Sequence, residues 1–348
     1  MFLKNEIYEN EIADIASYSI DWKRISGKSI LITGASGLLG TGIIDTAMFR
    51  NKVYNDNIQI YAVSRDKNKA EERFGDYWAQ RSFHFVQADV NQPLDIDADI
   101  DYIIHAASNT HPQLYARDPI GSLMTNIEGT KNVLEFGRRK NVKRVLFLSS
   151  VEIYGNALKE NDIFDEKYCG YLDCNTLRAG YPEGKRAGEA LCQAYREKYG
   201  MDIVIPRLSR VYGPTMRMDD SKALSQFILN AVNGEDIVLK SEGKQRFSYV
   251  YAADAVRALF LILFDGVDGA AYNIADTHET LQLMEIAKIL AEISDRQVVF
   301  DLPNEVEKKG FSRAQTAVLA TDKIQKLGWK AQYDMENGLK RTVEIMRI

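Results

Sequence analysis

Short apolar runs alternate with longer amphipathic stretches from residue 29 onward. Runs of this length predict buried strands, because a buried strand needs only roughly four to eight residues while a helix needs about ten or more. Helical patterns separate several of them, among them 125–140 and 182–199. The alternation predicts an α/β fold in which helices cover both faces of a parallel sheet. The predicted strands are 29–33, 58–64, 84–87, 102–105, 144–149 and 202–206.

The two ends of the chain lack this alternation. Residues 1–28 are polar and helix-prone, which predicts a helical extension laid against the main domain. Beyond about residue 207 the pattern loosens into helices and short strands. We therefore expect a sheet domain over 29–206 and a smaller lobe, interleaved with it, over 207–348.

Composition narrows the class of protein without changing this picture. The chain has 348 residues, of which 45% are hydrophobic and 27% charged, as is ordinary for a globular protein with a sizeable core. No apolar run reaches the roughly 18 residues that a membrane helix needs, and the longest, at 255–264, predicts a core helix. The N-terminus lacks the basic start and apolar stretch of a signal peptide, so we expect a cytoplasmic location and no membrane partner.

Charge and side-chain chemistry exclude two further kinds of partner. A net charge of −5 without any basic run argues against a nucleic-acid surface, since phosphate binding needs clustered Lys and Arg. The three cysteines and four histidines show no paired spacing of zinc ligands, so we predict free thiols and no metal. The partner is therefore a small molecule or a protein.

Three glycines follow the first predicted strand. Gly34, Gly37 and Gly40 have the pattern Gly-x-x-Gly-x-x-Gly, and a helix is predicted from about Leu38. Glycines there permit a tight turn and a close approach to a pyrophosphate, and the helix N-terminus offers unpaired N–H groups. The segment therefore predicts a dinucleotide-binding domain. Its predicted cofactor contacts are Gly34, Ser36, Gly37, Leu38, Leu39 and Gly40.

The second predicted strand ends where such a fold selects its cofactor. A carboxylate at the strand end would bind the ribose 2′-hydroxyl of NAD, whereas a nearby Arg accommodates the 2′-phosphate of NADP. Here Ser64 and Arg65 come first and Asp66 follows. Arg65 favours NADP, but it can equally stack on adenine while Asp66 turns towards the ribose. We predict NAD and leave NADP as the alternative.

A tyrosine and a lysine four residues apart supply candidate chemistry. Tyr181 and Lys185 share one face of a helix if the helix begins here. An ammonium beside a phenol favours the phenolate, which would lower the pKa of Tyr181 and make it a base at neutral pH. Ser150, at the end of the fifth strand, is the predicted donor to the reacting oxygen.

Taken together, these motifs resemble the nucleotide-sugar branch of the extended short-chain dehydrogenases, from Ile30 to about Asn273. That branch contains 4-epimerases, 4,6-dehydratases and UDP-glucuronate decarboxylases, and the likeness is greatest to the decarboxylases. The matching pieces are His105-Ala106-Ala107-Ser108, Asp118-Pro119-Ile120, Thr125-Asn126-Ile127-Glu128-Gly129-Thr130, Ser150-Val151-Glu152-Ile153-Tyr154-Gly155, Tyr181-Pro182-Glu183-Gly184-Lys185-Arg186 and Tyr212-Gly213-Pro214.

The resemblance implies a Rossmann-type, doubly wound parallel sheet with a smaller C-terminal substrate lobe. It implies that protomers pair as homodimers through two helices each, 125–140 and 182–199. It also adds Tyr181 and Lys185 to the cofactor contacts, together with residues that follow later strands. Those residues are Asp89, Val90, Ala106, Ala107, Ser108 and Asn126.

Three positions bear on the reaction that the resemblance implies. Glu152 matches a Glu that dehydratases and decarboxylases place above the sugar ring, although it can instead be a structural hydrogen-bond acceptor. Val151 stands where 4,6-dehydratases carry the Asp that protonates the departing hydroxyl. Arg210 replaces a substrate-contacting Asn; it can recognise a carboxylate or a diphosphate, or it can be a surface residue.

The resemblance also places candidate cations for the nucleotide diphosphate in the C-terminal lobe. These are Arg217, Lys222 and Arg246. Arg246 lies eight residues before Asp254, whereas the family's Arg usually lies seven before, which weakens its transfer.

We therefore expect an enzyme that oxidises a nucleotide-linked hexose at C4 with NAD(P)+ and then decarboxylates or otherwise processes the keto sugar. The catalytic set is Ser150, Glu152, Tyr181 and Lys185. The alternatives within enzymes are a 4-epimerase, a 4,6-dehydratase and a 4-keto-sugar reductase. A silent dinucleotide sensor is the alternative outside enzymes, but a sensor has no need of a base beside the nicotinamide.

Overall fold

The computed structural model describes residues 4–110, 117–159, 162–278, 280–301 and 316–347. The start of the predicted extension, residues 1–3, and residues 302–315 of the predicted lobe lie outside the described residues. Within the described ranges no helix is long and apolar enough to cross a bilayer. Cys169, Cys174 and Cys192 are free thiols.

Parallel strands form the centre of the molecule. The strands are β1 Ser29–Thr33, β2 Gln59–Ser64, β3 Phe83–Gln87, β4 Tyr102–His105, β5 Arg144–Phe147, β6 Ser149–Ser150, β7 Ile163–Phe164, β8 Ile203–Leu208, β9 Arg210–Tyr212, β10 Ile237–Leu239, β11 Arg246–Phe247, β12 Tyr249–Tyr251, β13 Ala271–Ile274, β14 Val298–Phe300 and β15 Thr316–Leu319. In the described chain the main sheet runs β13-β8-β5-β4-β1-β2-β3, and β6 pairs with β8. This is the doubly wound order, and it confirms the predicted fold class.

Helices flank the sheet on both faces. They are α1 Glu6–Ser17, α2 Leu38–Tyr54, α3 Lys67–Phe74, α4 Pro119–Lys140, α5 Gly180–Tyr199, α6 Ala223–Asn233, α7 Ala252–Asp265, α8 Leu283–Ser294, α9 Asp322–Gln325 and α10 Met335–Met346, with single 3₁₀ turns at Trp22–Arg24, Gly75–Tyr77, Val151–Tyr154 and Leu177–Ala179. Every residue of β1 and β4 is buried, as expected for strands covered on both sides.

One predicted strand, 144–149, is divided in the structure. β5 pairs with β4 on one side and β8 on the other, whereas β6 pairs with β8 alone. The change occurs at Leu148, whose backbone N–H donates to the carbonyl of His105 at 3.1 Å. The division places Ser149 and Ser150 at the carboxyl end of the sheet, where open α/β sheets bind their ligands.

The helix α1 lies within the predicted N-terminal extension and packs against α2 and α7. Buried polar contacts hold it there. The Tyr8 hydroxyl donates to Asp45 on α2 at 2.6 Å, and the Tyr251 hydroxyl donates to Glu11 at 2.9 Å. Burial raises the pKa of Glu11 to about 7 and that of Asp45 to about 6.

Short sheets beyond β8 connect the two halves of the chain. β9 pairs with β12, and β10 pairs with β14. β7, from the first half, pairs with β15, which also pairs with β11. The segment that follows β6 is therefore paired with the last part of the chain.

Candidate active site

The glycine turn after β1 has the geometry of a dinucleotide cradle. Gly34 has φ +70°, and a Cβ there would lie 2.8 Å from the Ala106 carbonyl carbon. A Cβ on Gly40 would lie 2.5 Å from the carbonyl oxygens of Gly34 and Ala35. Any side chain at Gly34 or Gly40 would therefore displace backbone. Gly37 is the N-cap of α2 and offers no side chain to its first N–H groups, which leaves them for an anion. The residues present fit the pyrophosphate of a dinucleotide.

The floor of this cradle is a buried hydrogen-bond network that sequence reasoning did not include. The Thr33 hydroxyl and His105 Nδ1 lie 2.7 Å apart, and His105 Nε2 lies 3.3 Å from the Thr130 hydroxyl. Burial lowers the pKa of His105 to about 3, so its ring is neutral. A neutral ring between two hydroxyls links β1, β4 and α4 without adding charge.

The end of β2 differs from a carboxylate-lined ribose pocket. Ser64 faces the glycine turn, with its hydroxyl 3.2 Å from that of Ser36. Asp66 is the N-cap of α3, and its carboxylate accepts from the Lys69 N–H at 3.1 Å. Arg65 between them is exposed, and no ion pair forms with it in the described residues.

The predicted contacts after later strands fall into two groups. Ala106, Ala107 and Ser108 follow β4 directly beside Gly34, and the Ser108 hydroxyl donates to buried Asn126 on α4 at 2.9 Å. Asp89 and Val90 follow β3. Val90 is buried, and its carbonyl accepts from Asn132 on α4 at 2.9 Å. Asp89 accepts from the Asn91 N–H at 3.0 Å. The structure thus brings the first group to the glycine turn.

The candidate catalytic residues converge where β6 meets α5. Tyr181 lies in the first turn of α5, is buried, and is hydrogen-bonded to Ser150. The Glu152 N–H donates to the Ser150 hydroxyl at 3.3 Å. Lys185, one turn after Tyr181, is buried, and its ammonium donates to the Leu148 carbonyl at 2.7 Å. The site therefore combines a phenol, a hydroxyl and a buried ammonium.

The expected lowering of the Tyr181 pKa is wrong for this structure. Burial is the main cause that raises the pKa of Tyr181 to about 12, with a smaller increase from Glu152; Ser150 and Arg178 oppose it. The Lys185 ammonium donates to the Leu148 carbonyl, and burial lowers its own pKa to about 8. Proton abstraction by Tyr181 thus needs positive charge beyond what the chain itself supplies.

A second charged group lies beside this centre. The Arg178 Nη2 atom donates to both Glu152 carboxylate oxygens, at 2.6 and 2.7 Å. Arg210, on β9, is within electrostatic range of both Glu152 and Arg178. Its guanidinium carbon lies 3.4 Å from the centre of the Phe247 ring, and its buried Nη1 atom has no hydrogen-bond partner in the described residues. Two cations therefore lie within electrostatic range of one carboxylate beside Tyr181.

Arg178 is a functional candidate that sequence reasoning missed. It lies in the 3₁₀ turn Leu177–Ala179, immediately before α5, three residues before Tyr181. The spacing could have revealed it, because a residue in the turn just before a helix lies close to side chains in the first turn of that helix.

The other predicted substrate cations lie elsewhere. Arg217 is bidentate to Asp219 at 2.8 and 2.6 Å and lies within electrostatic range of Asp66 and Arg73, at the adenosine end of the glycine cradle. Lys222 pairs with Asp220 at 3.3 Å. Arg246 is exposed on β11. Arg210 interacts electrostatically with Glu152 of the candidate catalytic set. In the described residues the electrostatic partners of Arg217 are Asp219, Asp220 and Asp66 instead.

Comparison with known proteins decides the family. The family model described as the NAD dependent epimerase/dehydratase family matches residues 30–275. The chain belongs to this family. The match confirms the predicted family of nucleotide-sugar enzymes and the dependence on NAD, and it spans both the glycine cradle and the Tyr181 centre.

Relatives of this epimerase/dehydratase family member carry several activities. UDP-glucuronic acid decarboxylase 1 of Xenopus tropicalis is 30% identical over 326 residues, covering 92% of this chain and 72% of that protein. A UDP-glucose 4-epimerase of Thermotoga maritima with UDP-glucose has TM-score 0.77 at 23% identity, covering 92% of this chain and 98% of its own. A UDP-glucuronic acid 4-epimerase of Bacillus cereus, in complex with UDP-glucuronic acid and NAD, has TM-score 0.76 at 20% identity, with 91% and 98% covered. The two structures establish the fold, and the reaction has to be argued from the site.

Proposed function

We propose that this family member oxidises a nucleotide-linked hexuronate, with UDP-glucuronate as the first candidate, at C4 and then removes its C6 carboxylate as carbon dioxide. The observation that carries the proposal is the excess of positive charge beside Tyr181. Glu152 already neutralises one arginine, Arg178, so the second, Arg210, remains to meet an anionic group of the substrate.

The cofactor would be held by residues already described. Its pyrophosphate would fit the turn of Gly34, Gly37 and Gly40, and Tyr181 and Lys185 would serve its nicotinamide end. When bound, NAD+ supplies a two-electron oxidant and a positive charge. That charge favours the Tyr181 phenolate, which burial disfavours in the chain alone.

In the first step Tyr181 would take the proton of the sugar 4-hydroxyl, and bound NAD+ would supply the two-electron oxidation at C4. Ser150 donates to the same oxygen and holds it beside the phenol. The product is a 4-keto hexuronate, in which the ketone is β to the C6 carboxylate.

In the second step the C5–C6 bond breaks and carbon dioxide departs. The bonding pair passes to the C4 carbonyl as an enolate, whose oxygen the Ser150 and Tyr181 hydroxyls stabilise. Protonation at C5, by a water that the Glu152 carboxylate positions, gives the 4-keto pentose. Tyr181 would then return its proton to O4 as C4 is reduced again, which makes the whole cycle redox-neutral.

Val151 favours decarboxylation over dehydration. It occupies the position between Ser150 and Glu152 where dehydration would need an acid, and it is buried among hydrophobic residues with 5% of its surface exposed. A departing 6-hydroxyl would find no proton donor at that position. Carbon dioxide needs none.

Arg178 and Arg210 supply the recognition of the carboxylate. A carboxylate at C6 can replace Glu152 on one arginine or bind the unpartnered Nη1 atom of Arg210, which stays oriented by its stacking on Phe247. The relationship to UDP-glucuronic acid decarboxylase 1 supports this assignment. We further propose that the enzyme works as a homodimer through α4 and α5, which pack against each other.

Incubation of the protein with UDP-glucuronate and NAD+ tests the proposal. Mass spectrometry should detect UDP-xylose or its 4-keto precursor, with carbon dioxide released in equal amount. Recovery of UDP-galacturonate would establish a 4-epimerase instead. Return of the acid unchanged, while a neutral UDP- or dTDP-hexose is converted, would also exclude the decarboxylase.

A further inference from the structure

The helix α5 carries a third ionisable side chain in line with its two catalytic ones. Tyr181, Lys185 and Glu189 follow one another at intervals of four residues, so they lie along one side of the helix. Glu189 is largely buried, with 13% of its side chain exposed. The proposed reaction assigns it no role.

Two neighbouring strands hold the Glu189 carboxylate. Arg207, on β8, donates from Nε to one carboxylate oxygen at 3.0 Å and from Nη2 to the other at 2.6 Å. The Ser149 hydroxyl, on β6, donates to the first of these oxygens. Ser149 and Arg207 are themselves partners in the parallel register of β6 and β8. Because a bidentate, charge-assisted pair has a defined geometry, Glu189 fixes the end of β6 against α5.

A second contact, one turn earlier on the helix, holds the preceding residue of the chain. The Lys185 ammonium donates to the Leu148 carbonyl at 2.7 Å, and Glu189 accepts from Ser149. Two consecutive residues are thus bound by two side chains of α5. The next residue is Ser150, the donor to the reacting oxygen, so these two contacts determine where it lies.

Lys185 also needs a negative charge in its surroundings, since a buried ammonium is costly unless an anion compensates it. Burial lowers the pKa of Lys185 to about 8, and Cys192 and Glu189 on α5 oppose that change. Burial raises the pKa of the Cys192 thiol and lowers that of His105, which faces Lys185 from β4, so both are neutral. Among these neighbours Glu189 is the anion.

We infer that Glu189 is a positioning residue of the catalytic centre. Held by Arg207, it fixes Ser149, and with it Ser150, against α5, and its negative charge supports the Lys185 ammonium. Glu189 acts through these neighbours rather than on the reacting atoms. The inference rests on the proposed function for the roles of Ser150 and Lys185, but the charge of Lys185 can be measured without any sugar.

NMR titration of the full chain, labelled with 13C-lysine, measures that charge. The Lys185 signal is the one absent from Lys185→Arg, and in the wild type it should titrate near pH 8, well below an ordinary lysine. Glu189→Gln should lower this midpoint by about one pH unit, because an anion that favours the ammonium is lost. Glu183→Gln is the matched control: it removes the same charge from the same helix, where Glu183 pairs with Arg186 at 3.5 Å, and should leave the midpoint unchanged.

Ser149→Ala tests the positioning of β6. It keeps the ion pair of Glu189 with Arg207, so it stays informative if Glu189→Gln fails to fold. Loss of the hydroxyl should lower kcat about tenfold and leave KM for the nucleotide sugar unchanged, since Ser149 donates to Glu189 and not to a ligand. The Lys185 midpoint should also stay at its wild-type value, because the charge of Glu189 is retained.

An unshifted Lys185 midpoint in Glu189→Gln, or an equal shift in Glu183→Gln, would overturn the inference. Full turnover in Ser149→Ala would do the same. The NMR titration contains no sugar, so failure of the decarboxylation assay with UDP-glucuronate leaves its result untouched. If the protein converts another nucleotide sugar, kcat and KM are measured with that one.

Discussion

The cofactor side and the substrate side of the cleft are built in different ways. The cofactor side is made by backbone: Gly34 and Gly40 have no room for a Cβ, and α2 begins at the turn. The substrate side is made by long side chains, with Glu152 paired to Arg178 and Arg210 within electrostatic range of both. Backbone geometry that demands glycine is visible in a sequence, whereas a charged side chain can reach the same point from many positions.

The largest expected effect separates chemistry from binding. Tyr181→Phe removes one oxygen and little volume from a buried position. Turnover should fall on the order of 10²- to 10⁴-fold, the usual contribution of a general acid–base, while cofactor affinity is unchanged. Single-turnover kinetics and calorimetric titration measure the two quantities. Near-full turnover in this variant would remove Tyr181 from the mechanism.

The substrate side is tested next by Arg210→Met, which keeps the packing on Phe247 and removes the charge. If Arg210 binds the carboxylate, KM for UDP-glucuronate should rise about 10- to 100-fold with little loss of folding stability, because no described side chain loses a partner. Lys244→Ala, an exposed cation paired with Glu242, is the control. An unchanged KM would return Arg210 to a structural role.

The N-terminal helix provides a comparison outside the cleft. Burial raises the pKa of Glu11 from 4.5 to about 7, so its contribution to stability is present below pH 4.5 and is lost as the pH rises through about 7. Glu11→Gln keeps a hydrogen-bond acceptor for Tyr251 without the charge. Urea unfolding at pH 5 and pH 8 should show a loss on the order of 1–3 kcal/mol in the wild type and a smaller one in the variant. Equal losses would mean that Glu11 stays charged throughout.

The smallest expected effect concerns Asp66. If it serves α3 alone, Asp66→Ala should lower the free energy of unfolding by about 1 kcal/mol and leave the affinity for NAD+ unchanged. Chemical denaturation and cofactor titration on the same preparation measure both. A marked loss of NAD+ affinity would show that Asp66 reaches the ribose after all.

The fold was predictable because its signals are local. Strands β1 and β4 match the predicted ranges, and apolar runs bounded by turns sufficed to find them. The predicted strand at 144–149 is divided because β6 pairs with β8 alone, whereas β5 also pairs with β4. No local sequence pattern encodes that difference in pairing.

The site was predictable to a lesser extent. Ser150 and Tyr181 meet as expected, since both follow from motifs on adjoining elements. The high pKa of Tyr181 was not predictable, because burial depends on packing by distant residues. The electrostatic effect of Arg217 on α3 was missed for the same reason, since it depends on how the chain after β9 folds back.

The pairing of β7 with β15 has a consequence for how the enzyme matures on the ribosome. Val318 lies beside Ile163, so the segment after Ser150 acquires its last neighbouring strand only when almost the whole chain has been synthesised. The glycine cradle between β1 and β2 involves contacts much nearer in sequence. During translation the nascent chain can therefore assemble its nucleotide cradle well before its catalytic loop is fastened, and contacts of such long sequence separation form slowly.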